Sequence, residues 1–242
     1  MTTKETTLLD GKVILSQPVN GLRASMDTVL LSAAVKVRHQ DRILDMGCGT
    51  GGAGLCVLRR FNGGDVRLDG VDIQSELVAI AVENAAQNGF ADQCVFKAGD
   101  VTDKTCYDEY TFDHILTNPP YYEDGARQAS SDASREIAFS HTDIETWIDR
   151  AHYWLKHKGS LTIIHRADMT DKILRAAGTR FGGIEIWPVH SKADKPAIRV
   201  IVKMLKNRRS PMVLHPALVL FNADGTESTL SKRILRDGEG LI

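Results

Sequence analysis

From residue 42 onward the chain alternates short apolar runs with longer stretches whose apolar residues recur every three or four positions. "RILDM", "VRLDGVD", "CVFKAGD", "FDHILTN" and "SLTIIH" are compact and apolar, several closed by Asp or Asn, as buried strands are. Helical spacing fills the gaps between them. A helix carrying Leu55 and Leu58 stops near Gly63-Gly64. "SELVAIAVENAAQNG" sets Leu77, Ile80, Ala81 and Ala85 on one face, between Ser75 and a stop at Gly89. "TDIETWIDRAHYWLKHKG" sets Ile144, Trp147, Ile148, Ala151 and Leu155 on one face. Thr142 and Glu145 stand in a capping-box arrangement, and the pattern predicts helix as far as Gly159. "MTDKILRAAG" predicts another helix. Ahead of the first strand, "SMDTVLLSAAVKV" predicts a helix through Met26, Val29, Leu30, Ala33, Ala34 and Val37, capped by Ser25 or Asp27. "GIEIWPV" and "AIRVIVKML" predict two last strands close enough to pair antiparallel. "ALVLFNADGTESTL" predicts a hairpin turning at Asp224-Gly225.

This order predicts an α/β fold: a seven-stranded, mostly parallel sheet with helices on both faces, an antiparallel last strand and a small C-terminal hairpin. No repeat, linker or low-complexity segment divides the chain. The expectation is one domain, with residues 1–40 a helical lead-in, 41–206 the core and 207–242 the hairpin extension. In such sheets ligands bind beyond the carboxyl ends of the strands, where the strand order reverses. Four strand ends are thereby singled out: Asp45 to Gly52, Asp72, Asp100 and Asn118.

The first of these reads "LDMGCGTGG", containing Gly47-x-Gly49-x-x-Gly52. A nicotinamide enzyme has such a turn too, so by itself it is weak evidence. Asp45, two residues before the first glycine, points elsewhere: a dehydrogenase keeps that position apolar, whereas a carboxylate there suits the ammonium of S-adenosyl-L-methionine. The pattern D-x-G-x-G-x-G, Asp45 through Gly51 and including Cys48, lets backbone approach a ligand that has no pyrophosphate. Asp72 can accept both ribose hydroxyls, with Ile73 packed on the adenine. Asp100, with Val101 beside it, ends the third strand within reach of the adenine amino group. The plainer alternatives are a helix cap for Asp72 and a turn residue for Asp100.

The fourth strand end, "NPPYY", is unusual, because two prolines cannot continue a strand ladder. An exocyclic amino group is a poor nucleophile while its lone pair is delocalised into the ring. Two acceptors aimed at its two N–H bonds free that pair. The Asn118 side-chain oxygen is one, and the Pro119 carbonyl, held by the restricted backbone of Pro119-Pro120, is the other. Tyr121 offers a ring for a flipped-out base, worth ~1–3 kcal/mol. The plainer alternative is a turn that ends a strand.

Together, DMGCGTGG, VDIQSELVAIAVENAAQNG and NPPYY resemble the class I amino methyltransferases. "QPVNGLRASMDTVLLSAAV" and "PVHSKADKPAIRVIVKMLK" resemble, more narrowly, the bacterial valine-tRNA adenine-N6 methyltransferases, over about Gln17 to Leu235. The resemblance implies a Rossmann-like class I methyltransferase fold and methylation of the adenine at position 37 of a valine tRNA, with S-adenosyl-L-methionine as cofactor. It also implies that Asp27 and Arg23 lie over the cofactor pocket. One block departs from the family: Gly21-Leu22-Arg23-Ala24-Ser25-Met26-Asp27 has Leu22 and Ala24 where two aromatics are expected. Neighbouring readings are a protein-glutamine methyltransferase, a guanine-N2 rRNA methyltransferase, and a cofactor-binding fold serving only as an RNA chaperone.

Charge qualifies this picture. Thirty Lys and Arg against 31 Asp and Glu give a net charge of −1, so any RNA-binding face is local. Lys192, Lys195 and Arg199 around the last two strands are the candidate tRNA contacts, followed in sequence by Lys203, Lys206, Arg208 and Arg209. Residues 123–141 are a candidate lid. Trp147 is expected in the core. His141, His165 and His190 have no ligand spacing, so no metal is expected. The four cysteines form no CxxC pair. The N-terminus has no apolar leader and no run reaches membrane-spanning length, so a soluble, cytoplasmic monomer with no membrane partner is the expectation.

Overall fold

A computed structural model describes residues 2–19, 26–61, 65–120 and 143–241. The expectations for Arg23, Ser25, Tyr121, His141, Thr142 and the 123–141 segment lie outside them.

The strands read from sequence form as expected: β3 (Arg42–Met46), β4 (Arg67–Asp72), β5 (Cys94–Ala98) and β6 (Phe112–Thr117), with β7 (Leu155–Arg166), β8 (Phe181–His190) and β9 (Ala197–Lys206) following. Six of these seven run parallel, in the order β5-β4-β3-β6-β7, then β9, then β8. β9 slots antiparallel between β7 and β8, so β8 points the same way as the first five. The helices are α1 (Met26–Ala33), α2 (Gly52–Phe61), α3 (Ser75–Gln87), α4 (Ile144–Trp154) and α5 (Thr170–Ala177).

Alternation along the strands sends side chains to two cores. Leu44, Met46, Ile115 and Ile163 meet Trp147, Ile148, Trp154 and Ile173 of α4 and α5. Ile43, Leu116 and Ile164 meet Leu30, Leu31, Val57 and Leu58 of α1 and α2. Trp154 is fully buried, donates its indole N–H to the Lys104 carbonyl at 3.0 Å and packs edge-on to Tyr107 at 5.6 Å. Trp154→Ala removes that contact area and strands the carbonyl, so it should lower unfolding free energy by about 3–5 kcal/mol in urea titrations.

Three expectations need correction. The N-terminal lead-in is not simply helical: β1 (Thr3–Leu8) and β2 (Val13–Pro18) form an antiparallel hairpin turning at Leu9-Asp10-Gly11, all three at positive φ. Leu9, Val13 and Leu15 bury against Val29, Leu55, Cys56 and Ala85, which gives the hairpin its own core. The helix begun at Ile144 stops at Trp154 instead of reaching Gly159. Its cap is Asp143, whose carboxylate accepts the Thr146 N–H at 2.8 Å. Leu155 has extended dihedrals, and the chain goes straight into the twelve-residue β7. The C-terminal tail is also different. Its turn closes only one antiparallel bridge, Phe221 to Glu227. Two short strands, β10 (Val213–Leu214) and β11 (Leu218–Val219), pair parallel to β8, and Ser228 caps a final short helix, α6 (Thr229–Lys232). Leu218 and Leu220 bury beside Ile234, so the alternation "LVLF" serves an existing sheet edge, not a free-standing hairpin.

At the N-terminal edge of the sheet His114 bridges Asp41 (Nε2 to Oδ2, 2.9 Å) and Ser160 (Nδ1 to Oγ, 2.7 Å). The residue types match a hydrolytic relay. However, Ser160 is only 2% exposed and faces a neighbouring strand, so the trio is a cross-strand strut.

Candidate active site

The opposite, C-terminal edge collects the four predicted strand ends. Register sets Met46 beside both Val71 and Thr117, and Asp72 beside Ala98. Gly47, Cys48, Asp72, Asp100 and Asn118 therefore emerge along one rim. The glycine turn is tied down by its own backbone: the Gly47 and Cys48 N–H groups donate to the Val71 carbonyl at 2.9 and 3.0 Å, and Gly51 N–H to the Cys48 carbonyl at 2.8 Å. Cys48 thus shapes the turn with both backbone groups, while its thiol packs inward and burial holds its pKa well up.

Two of the glycines are required for distinct reasons. Gly47 sits at φ +75°, and a Cβ there would lie 2.7 Å from the Trp147 ring. Trp147 is core, as expected, but it also forms the floor of the turn, a contact no sequence pattern announces. Gly49, at φ +52°, has nothing within 4 Å of where a Cβ would stand. Its open side is where a ligand can approach bare backbone.

The Asp72 carboxylate joins the turn to the next helix. One oxygen accepts Gly49 N–H at 2.8 Å and the other Gln74 N–H at 3.0 Å. The residue before α3, Gln74, has no side-chain cap, so Asp72 is not that helix's cap in the usual sense. A carboxylate has about four acceptor positions, so two remain for a ligand's hydroxyls. Ile73 beside it is 43% exposed, an apolar side chain left outside on this rim. Asp45 accepts Gly54 N–H at 2.9 Å from the first turn of α2. Burial pushes its pKa up to about 7, with Asp72 nearby adding to the rise; burial also raises Asp72, against the hydrogen bonds it accepts. Two buried carboxylates at one turn are destabilised as anions and favour a cation. Asp100 is exposed and accepts Thr102 N–H at 2.8 Å, which fulfils its turn role; Val101 beside it is buried.

At the fourth strand end Thr117 Oγ donates to the Met46 carbonyl at 2.7 Å, pinning β6 to β3 one residue before Asn118. Sequence reading passed over this threonine, although a polar residue closing an apolar strand was a signal. Asn118 Oδ1 is buried and, among the described residues, accepts no hydrogen bond. Buried acceptors are rarely left so. His165, near the rim on β7, accepts Arg166 N–H at 2.9 Å; burial lowers its pKa to about 4, so it is neutral at pH 7.

Asp27 and Arg199, assigned from sequence to cofactor and RNA respectively, are partners: Arg199 Nε donates to Asp27 Oδ2 at 2.9 Å, joining α1 to the start of β9. Lys192 and Lys195 lie on the β8–β9 turn at the site edge. Lys192 Nζ donates to the Ala223 carbonyl, and Lys195 stands 3.6 Å from Asp194. The other basic residues do not extend that face, because antiparallel β9 carries Lys206, Arg208 and Arg209 to the far edge. Lys206 is buried, donating to the Leu155 carbonyl at 2.8 Å, and Lys203 faces Glu185 at 3.5 Å. Among the described residues no group of His, Cys, Asp and Glu is placed to hold a metal, and no helix is long and apolar enough to cross a membrane.

This rim, with its open glycine, paired carboxylates and exposed Ile73, fits the methionine, ribose and adenine parts of S-adenosyl-L-methionine, and the sheet order is that of a class I methyltransferase. The methyltransferase small domain family matches residues 23–186, and the chain belongs to that family; it is an S-adenosyl-L-methionine-dependent methyltransferase. It is 26% identical over 220 residues to a tRNA1(Val) (adenine(37)-N6)-methyltransferase of Actinobacillus pleuropneumoniae serotype 7, covering 89% of both chains. It is 25% identical to the enzyme of that name from Haemophilus influenzae, covering 87% and 88%. In fold it resembles a predicted O-methyltransferase from Agrobacterium tumefaciens, with TM-score 0.74 and 23% identity over 89% of this chain and 98% of that one. A class I methyltransferase of Listeria monocytogenes gives TM-score 0.57 and 18% identity, over 85% and 64%.

Proposed function

We propose that the chain methylates the exocyclic N6 amino group of an adenine in tRNA, the substrate being adenine 37 of a valine tRNA. The observation that carries this is the buried Asn118 Oδ1, an acceptor with no donor among the described residues. An adenine amino group has two N–H donors: Asn118 Oδ1 takes one and the Pro119 carbonyl the other. With both held, the nitrogen lone pair leaves the ring plane and faces the methyl donor. The Thr117–Met46 bond keeps this acceptor pair in register with the glycine turn. Tyr121 supplies the stacking face for the flipped base.

Asp45, Gly47, Cys48, Gly49 and Gly51 would line the methionine end of the cofactor, Asp72 its ribose, and Ile73, Asp100 and Val101 its adenine. When bound, S-adenosyl-L-methionine supplies an electrophilic methyl group on a sulfonium. The nitrogen–carbon bond would form as the carbon–sulfur bond breaks, with S-adenosylhomocysteine leaving, and the alkylated amino group held by Asn118 and Pro119 would be acidic enough to lose a proton to water without a strong base. Lys192 and Lys195 on the site edge are the phosphate contacts of this reading, and Arg23 a further one. The protein acts as a cytoplasmic, single-domain monomer.

Tritium transfer from labelled cofactor to tRNA from a strain lacking the protein tests the proposal. Label should enter valine tRNA and appear, after digestion, as N6-methyladenosine. Label in a protein glutamine or an rRNA guanine, with none in tRNA, would overturn it.

A further inference from the structure

The N-terminal hairpin is fastened through two asparagines four residues apart, Asn84 in the last turn of α3 and Asn88 at its C-terminal cap. Asn84 is fully buried. Its Oδ1 accepts Ser16 N–H at 2.7 Å, and its Nδ2 donates to the Ser16 carbonyl at 3.1 Å and to the Thr50 carbonyl at 2.9 Å. Asn88 repeats the pattern on Ile14, accepting its N–H at 2.9 Å and donating to its carbonyl at 2.6 Å, with a second donation to the Asn84 carbonyl at 2.7 Å. A side-chain amide offers the same donor and acceptor as a peptide group. Ile14 and Ser16 are alternate residues of β2, paired side by side with Thr7 and Glu5 of β1. The two asparagines therefore act as rungs of a missing strand along the other edge of β2.

Only Asn84 reaches further. Thr50 lies between Gly49 and Gly51, both at positive φ, in the turn that approaches the cofactor. Its carbonyl orientation is set by that turn, and Asn84 is its side-chain donor. The hairpin is also held by its apolar contacts through Leu9, Val13 and Leu15 and by two exposed hydrogen bonds, Lys12 Nζ to the Asp237 carbonyl and Gln87 Nε2 to Glu5, none of which reaches the glycine turn. One side chain thus links Ser16 of the hairpin to the middle of the glycine turn.

We infer that Asn84 is a positioning residue for the cofactor turn and that, through it, occupancy of the turn is coupled to docking of residues 3–18. This rests on the reading of the glycine turn as the S-adenosyl-L-methionine site. Because linkage is reciprocal, a ligand that fixes the turn tightens the hairpin, and a change that loosens Asn84 weakens the ligand.

Hydrogen exchange on the full chain, with and without S-adenosylhomocysteine, is the test, alongside calorimetric titration. In the wild type the ligand should slow exchange across residues 13–18 by about fivefold or more. Asn84→Asp keeps an acceptor for the Ser16 N–H but loses the donations to the Thr50 and Ser16 carbonyls. It should weaken affinity about 10-fold, raise KM for the methyl donor with kcat preserved at saturation, and abolish the ligand-dependent protection. Asn88→Ala, which removes both bonds to Ile14 of the hairpin without touching the turn, should speed basal exchange at 13–18 while leaving affinity within about twofold. The inference fails if Asn84→Asp binds like wild type, if Asn88→Ala loses as much affinity, or if ligand binds the wild type without slowing exchange at 13–18. Absence of binding to the wild type would instead remove the cofactor reading itself. Should Asn84→Asp not fold, the wild-type exchange comparison decides alone.

Discussion

Asn118→Ala will lower the rate of methyl transfer by on the order of 10²–10³-fold, the usual effect of deleting one preorganised polar group at a reacting centre. Affinity for S-adenosylhomocysteine should stay within about twofold, because the glycine turn, Asp45 and Asp72 are untouched. Single-turnover transfer and calorimetry separate the two. A collapse of affinity with the transfer rate intact would show that Asn118 holds the cofactor and not the base. Stability should move the other way. Asn118 Oδ1 is a buried acceptor with no donor among the described residues, and such a group costs about 1–3 kcal/mol while it waits. Removing it should leave the melting temperature of the free protein unchanged or raise it. An inactive variant that is no less stable than the wild type is the mark of a site strained for function.

Cofactor affinity will rise with pH below neutrality and level off above it, by about 10-fold per pH unit on the rising limb. Burial raises Asp45 to about 7 in the folded chain, against about 3.9 for a free aspartate. Between those values the folded state holds the proton more tightly than the unfolded state. Stability of the free protein therefore falls as pH climbs through that window, and the full cost of the buried anion is present above pH 7. A cation bound at the turn favours the ionised form, so binding below pH 7 must first expel the proton. Asp72, also raised by burial, and the Cys48 thiol, held well up by burial, face the same turn, and the thiol stays protonated throughout. Calorimetry from pH 5.5 to 8.5 checks this. Asp45→Asn should bind weakly with a flattened profile; an unchanged slope in that variant would assign the titration to Asp72.

The parallel core was legible because its central strands, such as β3, are buried on both sides and read as compact apolar runs. The rim was legible because Asp45, Asp72, Asp100 and Asn118 each close such a run. The N-terminal hairpin was not read, although Asp10-Gly11 sits between flanking strands. β1 is exposed nearly throughout, so its Thr-rich sequence carries no apolar alternation. The end of α4 was misplaced because Leu155 continues a helical apolar face and equally begins a buried strand. The Trp147–Gly47 contact and the Asn84–Thr50 bond join residues far apart in sequence, and nothing local marks them. The basic residues were grouped along the chain, whereas the reversal of β9 sends them to opposite edges.

That reversal also bears on how the chain is made. β7 lies between β6 and β9, yet β9 is the last long strand to leave the ribosome. Until Lys206 has emerged, Leu161 to Ile164 stand on an unpaired edge with both faces apolar, the type of edge that recruits other chains. The β8–β9 pair can dock on that edge only once both of its strands have emerged. A chain cut between His190 and Ala197 would keep every residue of the glycine turn and Asn118, and yet leave β7 as an unpaired apolar edge.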